Sequence, residues 1–309
     1  MPSIGWVGTG RMGHELVSRL LNAGHEVSVY NRTREKALDL VDLGATVVDS
    51  VAELADRDIV FTIVAAAQDL DEVVAALLSR PAVQPGLIVD STTISPAEGE
   101  QIRTRASERG TAMLAAPVSG NPRVAAAGRL TIVASGPSDA WELARPYLEL
   151  LCRRVTYVGD GEHARLVKVC HNLMLGVVAQ CMAEITVLAE QGGVSRADLW
   201  DFLNDSVMGS AFTRYKTPAY VNLDFKPTFT PALLLKDFQL GFEAARATHV
   251  SMPVAAAAAQ ATQLLEGIKG NEVDFAALIE LVADGAGLEL VSEDAEIDDG
   301  LSPLESVTG

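Results

Sequence analysis

Cysteine is scarce in this chain, and what there is excludes two classes of protein. Cys152, Cys170 and Cys181 are too few and too irregularly spaced for a zinc site. An odd number cannot be a complete disulfide framework, so they read as buried thiols of a protein in a reducing cytoplasm. Basic residues are also short: 24 Lys and Arg against 41 Asp and Glu leave a net charge of −17. That balance disfavours nucleic acid and anionic membrane surfaces as partners. The longest apolar runs either contain a polar residue or are too short to span a bilayer. The start, Met-Pro-Ser-Ile-Gly-Trp-Val-Gly, enters a strand with no basic n-region, so no secretory leader is expected. No grouping of residues suggests a metal, and no internal repeat is present. An acidic protein that binds an anion needs local positive charge, which gives weight to every Lys or Arg inside a motif.

What is present begins with Ser3–Gly8, a short buried strand, and Gly8-Thr9-Gly10-Arg11-Met12-Gly13, followed by Leu16, Leu20 and Leu21 at helical spacing. This is Gly-x-Gly-x-x-Gly between a strand and a helix, the context the motif requires. The first glycine permits the turn, the second lets backbone approach a pyrophosphate, and the third lets helix pack on strand. A second strand, His25–Tyr30, ends at Asn31-Arg32-Thr33. A reader of the NAD ribose 2′-hydroxyl is usually acidic here, whereas an Arg accommodates a 2′-phosphate. No acid appears before Glu35, so Arg32 and Thr33 point to NADP(H), with a plain surface turn as the alternative for Arg32. A charge-assisted hydrogen bond, worth about 1.5–3 kcal/mol, would favour NADPH by an order of magnitude or more.

Further strands are expected at 45–48, 59–64, 86–90, 111–116, 130–134 and 155–158, with helices around 51–55, 69–79 and 137–151. Val64-Ala65-Ala66 follows the strand at 59–64 and is small enough to lie under a ribose or ring. Thr93 lies in Asp90-Ser-Thr-Thr-Ile-Ser-Pro96, where Pro96 suits a helix's first turn. After Pro117-Val118, Ser119 offers a hydroxyl and Gly120 approachable N–H groups, either a carboxylate seat or a simple turn.

From Glu162 to Gln191 there is no proline, and Leu166, Val169, Leu173, Gly176, Val177 and Met182 recur at helical spacing. A helix of that length would be roughly 45 Å long, enough to leave one domain and form the spine of another. Lys168 and Asn172, four apart, share one face of it. Alone such a pair is ordinarily a solvated face; near a domain boundary it can hold and protonate a polar substrate. Beyond Gln191 only helices are expected, at 196–203, 232–249, 254–267 and about 274–280. The tail after Glu289 is acidic and without a basic residue, and it is expected to be disordered or loosely docked.

These residues carry a resemblance to the β-hydroxyacid dehydrogenase family, over roughly Ile4 to Leu288. Five motifs occur in order: Gly8 to Gly13; Thr92-Thr93-Ile-Ser-Pro96; Ala116-Pro-Val-Ser-Gly120; Lys168 to Asn172; and Lys236-Asp237, preceded by Phe229. The resemblance implies that Lys168 is the general acid/base. Ser119, Gly120 and Asn172 would hold the substrate carboxylate and hydroxyl, Thr93, Phe229 and Asp237 would line the site, and Lys236 would reach the nicotinamide end of the cofactor. Ala115 and Asn121 depart from the usual Asp and Gly, placing the Asn121 side chain beside the carboxylate seat. His171 departs from an Asn, as either a new polar group by the substrate or a core histidine.

The expected architecture is α/β: an N-terminal Rossmann dinucleotide-binding domain (1–160) joined by the long helix to a C-terminal all-α domain (161–290), then a tail (291–309). The expected activity is NADP(H)-dependent hydride transfer to or from a small carboxylate-bearing hydroxyacid or semialdehyde in the cytoplasm. An imine reductase has the same architecture but usually carries Asp or Tyr in place of Lys168. A non-catalytic NADP-binding module is the alternative from another class. Apolar residues on several faces of the long helix, with Ala255–Ala259, predict a homodimer or homotetramer built through the α-domain.

Overall fold

Ile4-Gly-Trp-Val is apolar on both faces, as a central parallel strand must be, and it forms β1 (Ile4–Val7) with every residue buried. The computed structural model describes residues 2–301. Contacts divide the chain into two units, Met1–Lys168 and Val169–Gly309.

In the first unit the chain runs from β1 through α1 (Arg11–Asn22), β2 (Val27–Tyr30), α2 (Glu35–Leu38) and β3 (Thr46–Val47). It continues through β4 (Ile59–Thr62), α3 (Ala67–Leu77), β5 (Leu87–Asp90), α4 (Pro96–Glu108) and β6 (Ala112–Ala115). The strand order is β3-β2-β1-β4-β5-β6, with every neighbouring pair parallel. Strand order therefore reverses between β1 and β4, and the carboxyl ends of these strands open the crevice where such sheets bind ligands. A smaller sheet follows: β7 (Val118–Ser119), α5 (Pro122–Ala126), β8 (Thr131–Ala134), α6 (Ser138–Leu151) and β9 (Arg154–Tyr157). Here β7 and β8 are antiparallel and β8 and β9 parallel, and an Ala115–Ser135 bridge joins the two sheets. The stretch at Ser119, read as a carboxylate seat or a simple turn, is thus partly a strand.

The expected long helix is α7 (His163–Gln191). Its first turns belong to the first unit, because the Ala164 N–H donates to Ser135 Oγ at 2.9 Å and Arg165 is held by Asp90. By contacts the first unit thus runs on to Lys168, eight residues past the expected 160. The second unit continues with α8 (Arg196–Asp205), α9 (Ala211–Val221), α10 (Pro231–Ala247), α11 (Pro253–Lys269) and α12 (Leu278–Ala286). Ser195 caps α8, accepting the Asp198 N–H. Helix α9 was not expected from the sequence: it contains Pro218, and its apolar spacing is irregular. Val169, Leu173, Met182 and Val187 of α7 pack with Trp200, Tyr220, Leu234, Phe238 and Phe275 into this unit's core.

Three expectations need correction. Only Cys152 is buried, and burial pushes its thiol up to about 11; Cys170 and Cys181 are exposed on α7. The apolar runs were expected to hold a polar residue or to be too short for a bilayer; by length and composition α7 is nonetheless apolar enough to cross a membrane, although its inward face is the core just described. Residues 291–301 form no helix or strand but are not loose. The Glu293 carboxylate accepts the Arg196 and Ala197 N–H groups at 2.7 and 2.9 Å, closing the start of α8. Asn222 exchanges two hydrogen bonds with the backbone of Ala295. The acidic character that suggested disorder supplies the carboxylate a helix N-terminus prefers. The remainder of the expected tail, 302–309, lies outside the described residues.

Candidate active site

The chain must turn from β1 into α1 within three residues. Gly8 does so at φ +96°, where a Cβ would strike the Ile63 carbonyl. A Cβ on Gly13 would strike the Gly8 carbonyl, whereas one on Gly10 would meet nothing. Gly10 therefore leaves open space over the start of α1, whose cap has no side-chain acceptor and whose first turn has no acid. The first-turn N–H groups and positive end of a helix suit an anion. Arg11 and Met12 form the first turn, Arg11 exposed and Met12 half-buried.

Beside it lies a pocket of about 390 Å³ lined by Gly8, Gly10, Asn31, Arg32, Thr33, Lys36, Val64, Ala65, Asp69 and Glu72, among others. Asn31 shapes its floor: its Oδ1 accepts the Thr9 N–H at 2.9 Å, and its Nδ2 donates to Thr33 O at 2.8 Å. The Thr9 hydroxyl is buried and donates to Lys36 O at 3.0 Å. Arg32 is mostly exposed at the rim, with Nη1 3.1 Å from Asp69 Oδ1. Arg34 turns away to Asp49. Ala65 and Ala66 are exposed after β4, and the Val64 N–H donates to Thr92 Oγ1 at 3.1 Å. The pocket's shape and the cations Arg32 and Lys36 along its lining suit a dinucleotide.

Thr93 is half-buried just past β5. Ser119 ends β7, opposite Thr131. Gly120 has φ +131°, and a Cβ there would lie 2.5 Å from Leu130 Cδ2, so glycine is required. Asn121 caps α5, its Oδ1 accepting the Val124 N–H at 3.0 Å. The side chain the sequence offered to a substrate is thus engaged by the backbone.

On α7, Lys168 is only 9% exposed and Asn172 4%. Asn172 Nδ2 donates to Asp237 Oδ2 at 2.5 Å, and its Oδ1 lies 2.8 Å from His171 Nδ1. An amide oxygen only accepts, so that His171 nitrogen carries the proton. Close packing of α7 on α10 brings Asn172 and Asp237 together. A Cβ on Gly176 would collide with the Phe238 ring, and one on Gly241 with Leu173. Lys236 Nζ stands 3.8 Å from Asp237 Oδ1. Phe229 is held through its N–H by Asp274 Oδ2 at 3.1 Å. Asp90, Arg165 and Asp274 escaped the sequence reading: each joins local partners to others far along the chain, Asp90 to Arg165 and Lys216 to Asp274, which no local spacing marks.

The fold and the glycine-lined seat define a dinucleotide-binding oxidoreductase of two-unit design. Residues 3–159 match the model of the NAD-binding domain of 6-phosphogluconate dehydrogenase, and residues 161–282 that of the NAD-binding domain of NADP-dependent 3-hydroxyisobutyrate dehydrogenase. The chain is 30% identical over 269 residues to 3-hydroxyisobutyrate dehydrogenase of Pseudomonas aeruginosa, covering 84% of this chain and 90% of the relative. It is 31% identical to the NAD-dependent L-serine dehydrogenase of the same species, covering 91% and 98%. A solved structure of Mycobacterium tuberculosis 3-hydroxyisobutyrate dehydrogenase with L-serine superposes with a TM-score of 0.81 at 30% identity, covering 91% of this chain and 99% of that one. The chain belongs to the β-hydroxyacid dehydrogenase family, NAD(P)-dependent dehydrogenases that act on hydroxyl groups of small acids.

Proposed function

We propose that this protein is an NADP(H)-dependent oxidoreductase that interconverts a small carboxylate-bearing hydroxyacid and its carbonyl partner, with Lys168 as general acid/base. The observation that carries the reading is Lys168, nearly buried on α7 one turn before Asn172, whose amide is oriented by Asp237 and His171. An ammonium held there serves a proton transfer better than a solvated surface would. One relative is named for NAD, so the dinucleotide choice rests on this chain's own residues, Arg32 and Thr33 where a ribose-reading acid would stand, with Lys36 beside them.

When bound, the dinucleotide supplies or accepts the hydride. In reduction Lys168 gives a proton to the substrate oxygen, and in oxidation it takes that proton back, an effect of about 10²–10⁴-fold. Asn172 has one N–H on Asp237 and the other for that oxygen. Ser119 Oγ and the backbone around Gly120 serve the carboxylate, Thr93 and Phe229 line the site, and Lys236 serves the nicotinamide end. The three free thiols fit a cytoplasmic setting, and the exposed apolar side of α7 fits a homodimer or homotetramer.

The test is a panel of small hydroxyacids and semialdehydes with each dinucleotide, followed by nicotinamide absorbance, for the wild type and Lys168→Ala. The variant is expected to lose about 10²–10⁴-fold in kcat with dinucleotide affinity unchanged. Near-normal turnover would sink the mechanism.

A further inference from the structure

Below the dinucleotide pocket lies a buried ionic cluster that the chemistry above leaves unused. We propose that Arg165 is a positioning residue that locks the first turn of α7, and with it Lys168, in register with the ends of β4 and β5.

Arg165 is 2% exposed and uses three edges of its guanidinium in three directions. Nη2 lies 2.9 Å from Asp90 Oδ2, Nη1 donates to Thr92 O at 2.9 Å, and Nε donates to Glu162 Oε2 at 2.6 Å. Asp90 is fully buried at the end of β5. Its Oδ1 accepts the Thr62 hydroxyl from β4 at 2.6 Å and the Thr92 hydroxyl at 2.7 Å. With its one proton given to Asp90, Thr92 Oγ1 is left as the acceptor for the Val64 N–H. A directed chain therefore runs from Val64, which lines the pocket, through Thr92 and Asp90 to Arg165.

Lys168 follows three residues later, about 4.5 Å further along the same helix. The start of α7 cannot slide or rotate without breaking several of these bonds. Helix α4 closes the cluster from outside. Arg103 Nε donates to Glu162 Oε1 at 2.7 Å, and at Gly99 a Cβ would collide with both Arg165 and Glu162. Burial works against the Arg165 charge, but Asp90 and Glu162 more than offset it and hold its pKa above the ordinary range. A buried ionic cluster is seldom more stabilising than apolar packing of the same volume. What it supplies is fixed direction, and a planar fork supplies more of that than an ammonium can.

The inference rests on Lys168 as proton donor, so Lys168→Ala is measured alongside. Arg165→Lys keeps the charge and removes the fork. Gly99→Ala displaces Arg165 while changing no ionisable group. Both variants are expected to melt cooperatively and to lose about tenfold or more in kcat, since small misplacements of reacting groups are costly. KM for dinucleotide and substrate should move less than about threefold, a split a loosened fold would not give. With a nicotinamide deuterated at the transferred position, the isotope effect on kcat should grow as the chemical step slows. Folded variants that keep kcat within about threefold of wild type, with an unchanged isotope effect, overturn the positioning role. If Lys168→Ala also keeps its turnover, the general-acid reading falls with it; if only the other two do, that reading stands. Should Arg165→Lys not fold, Gly99→Ala and Thr62→Val, which removes one hydroxyl from Asp90, decide by the same measurements.

Discussion

Lys216 Nζ lies 2.6 Å from Asp274 Oδ1, with both side chains closed off from solvent inside the helical unit. The other Asp274 oxygen accepts the N–H groups of Thr228 and Phe229 at 3.0 and 3.1 Å, so this pair holds the loop that carries Phe229. Burial alone would push the Asp274 carboxyl up. The Lys216 charge and hydrogen bond, the Thr228 hydroxyl and the Ala276 N–H more than offset it and hold the carboxyl below its ordinary 3.8.

A carboxylate whose folded pKa lies below its unfolded value adds stability above the unfolded value, and that stability is lost as pH falls through the folded one. Asp274→Asn is therefore expected to cost about 3–5 kcal/mol at neutral pH, as for any buried pair broken on one side. Wild type and variant should converge as pH drops below 3.8. Urea melts of both proteins across that range measure it. A gap independent of pH would show that the charge is not what holds the loop.

Arg32→Glu should reverse or abolish a preference for NADPH. The guanidinium at the pocket rim is the first cation after β2, and a charge-assisted bond of about 1.5–3 kcal/mol corresponds to roughly tenfold or more in affinity. Isothermal titration with both dinucleotides reads the ratio. A wild type that binds NADH as tightly as NADPH removes the argument at its root.

Glu293→Ala should weaken the start of α8, leaving Ser195 as its cap. A lost N-terminal acceptor costs about 0.5–2 kcal/mol, and here two N–H groups lose their partner. A lowered Tm with unaltered dinucleotide affinity is the expected pattern, because every contact of Glu293 is within the helical unit. An unchanged Tm would mean that water caps the helix equally well.

Met174→Glu should weaken self-association. Val167, Cys170, Met174, Cys181 and Leu188 recur at three-, four- and seven-residue steps along one side of α7, and Met174 and Leu188 are 70% and 73% exposed. Such a stripe is a face awaiting a partner, and a charge at its middle opposes a second copy. Light scattering on dilution compares the variant with wild type. An active wild-type monomer at assay concentration would count against assembly as a whole.

Local rules carried most of the fold. Gly8 and Gly13 meet the steric demand their spacing announced, Gly10 faces open space, and the proline-free run after Glu162 is one unbroken helix. Strand positions were legible because a central parallel strand is apolar on both faces, though their ends were read one or two residues too long. Helix α9 was hidden by Pro218, tolerated there by surrounding packing. At the site, the Lys168 and Asn172 spacing was visible, but the supports were not. Asp237 reaches Asn172 only because Gly176 and Gly241 let two helices close, and Asn121 became a cap because of the turn before it. Tertiary partners of buried charges leave no periodic trace.

The hold of Glu293 on Arg196 and Ala197 joins residues almost a hundred positions apart. Synthesis runs from the amino end, so the dinucleotide unit can gather its strands while the helical unit is still being made. That second unit must wait with Ser195 alone capping α8 until residue 293 has left the ribosome. A stalled or prematurely ended chain would thus present a finished nucleotide-binding half beside an unfinished helical one, and quality control would meet it there.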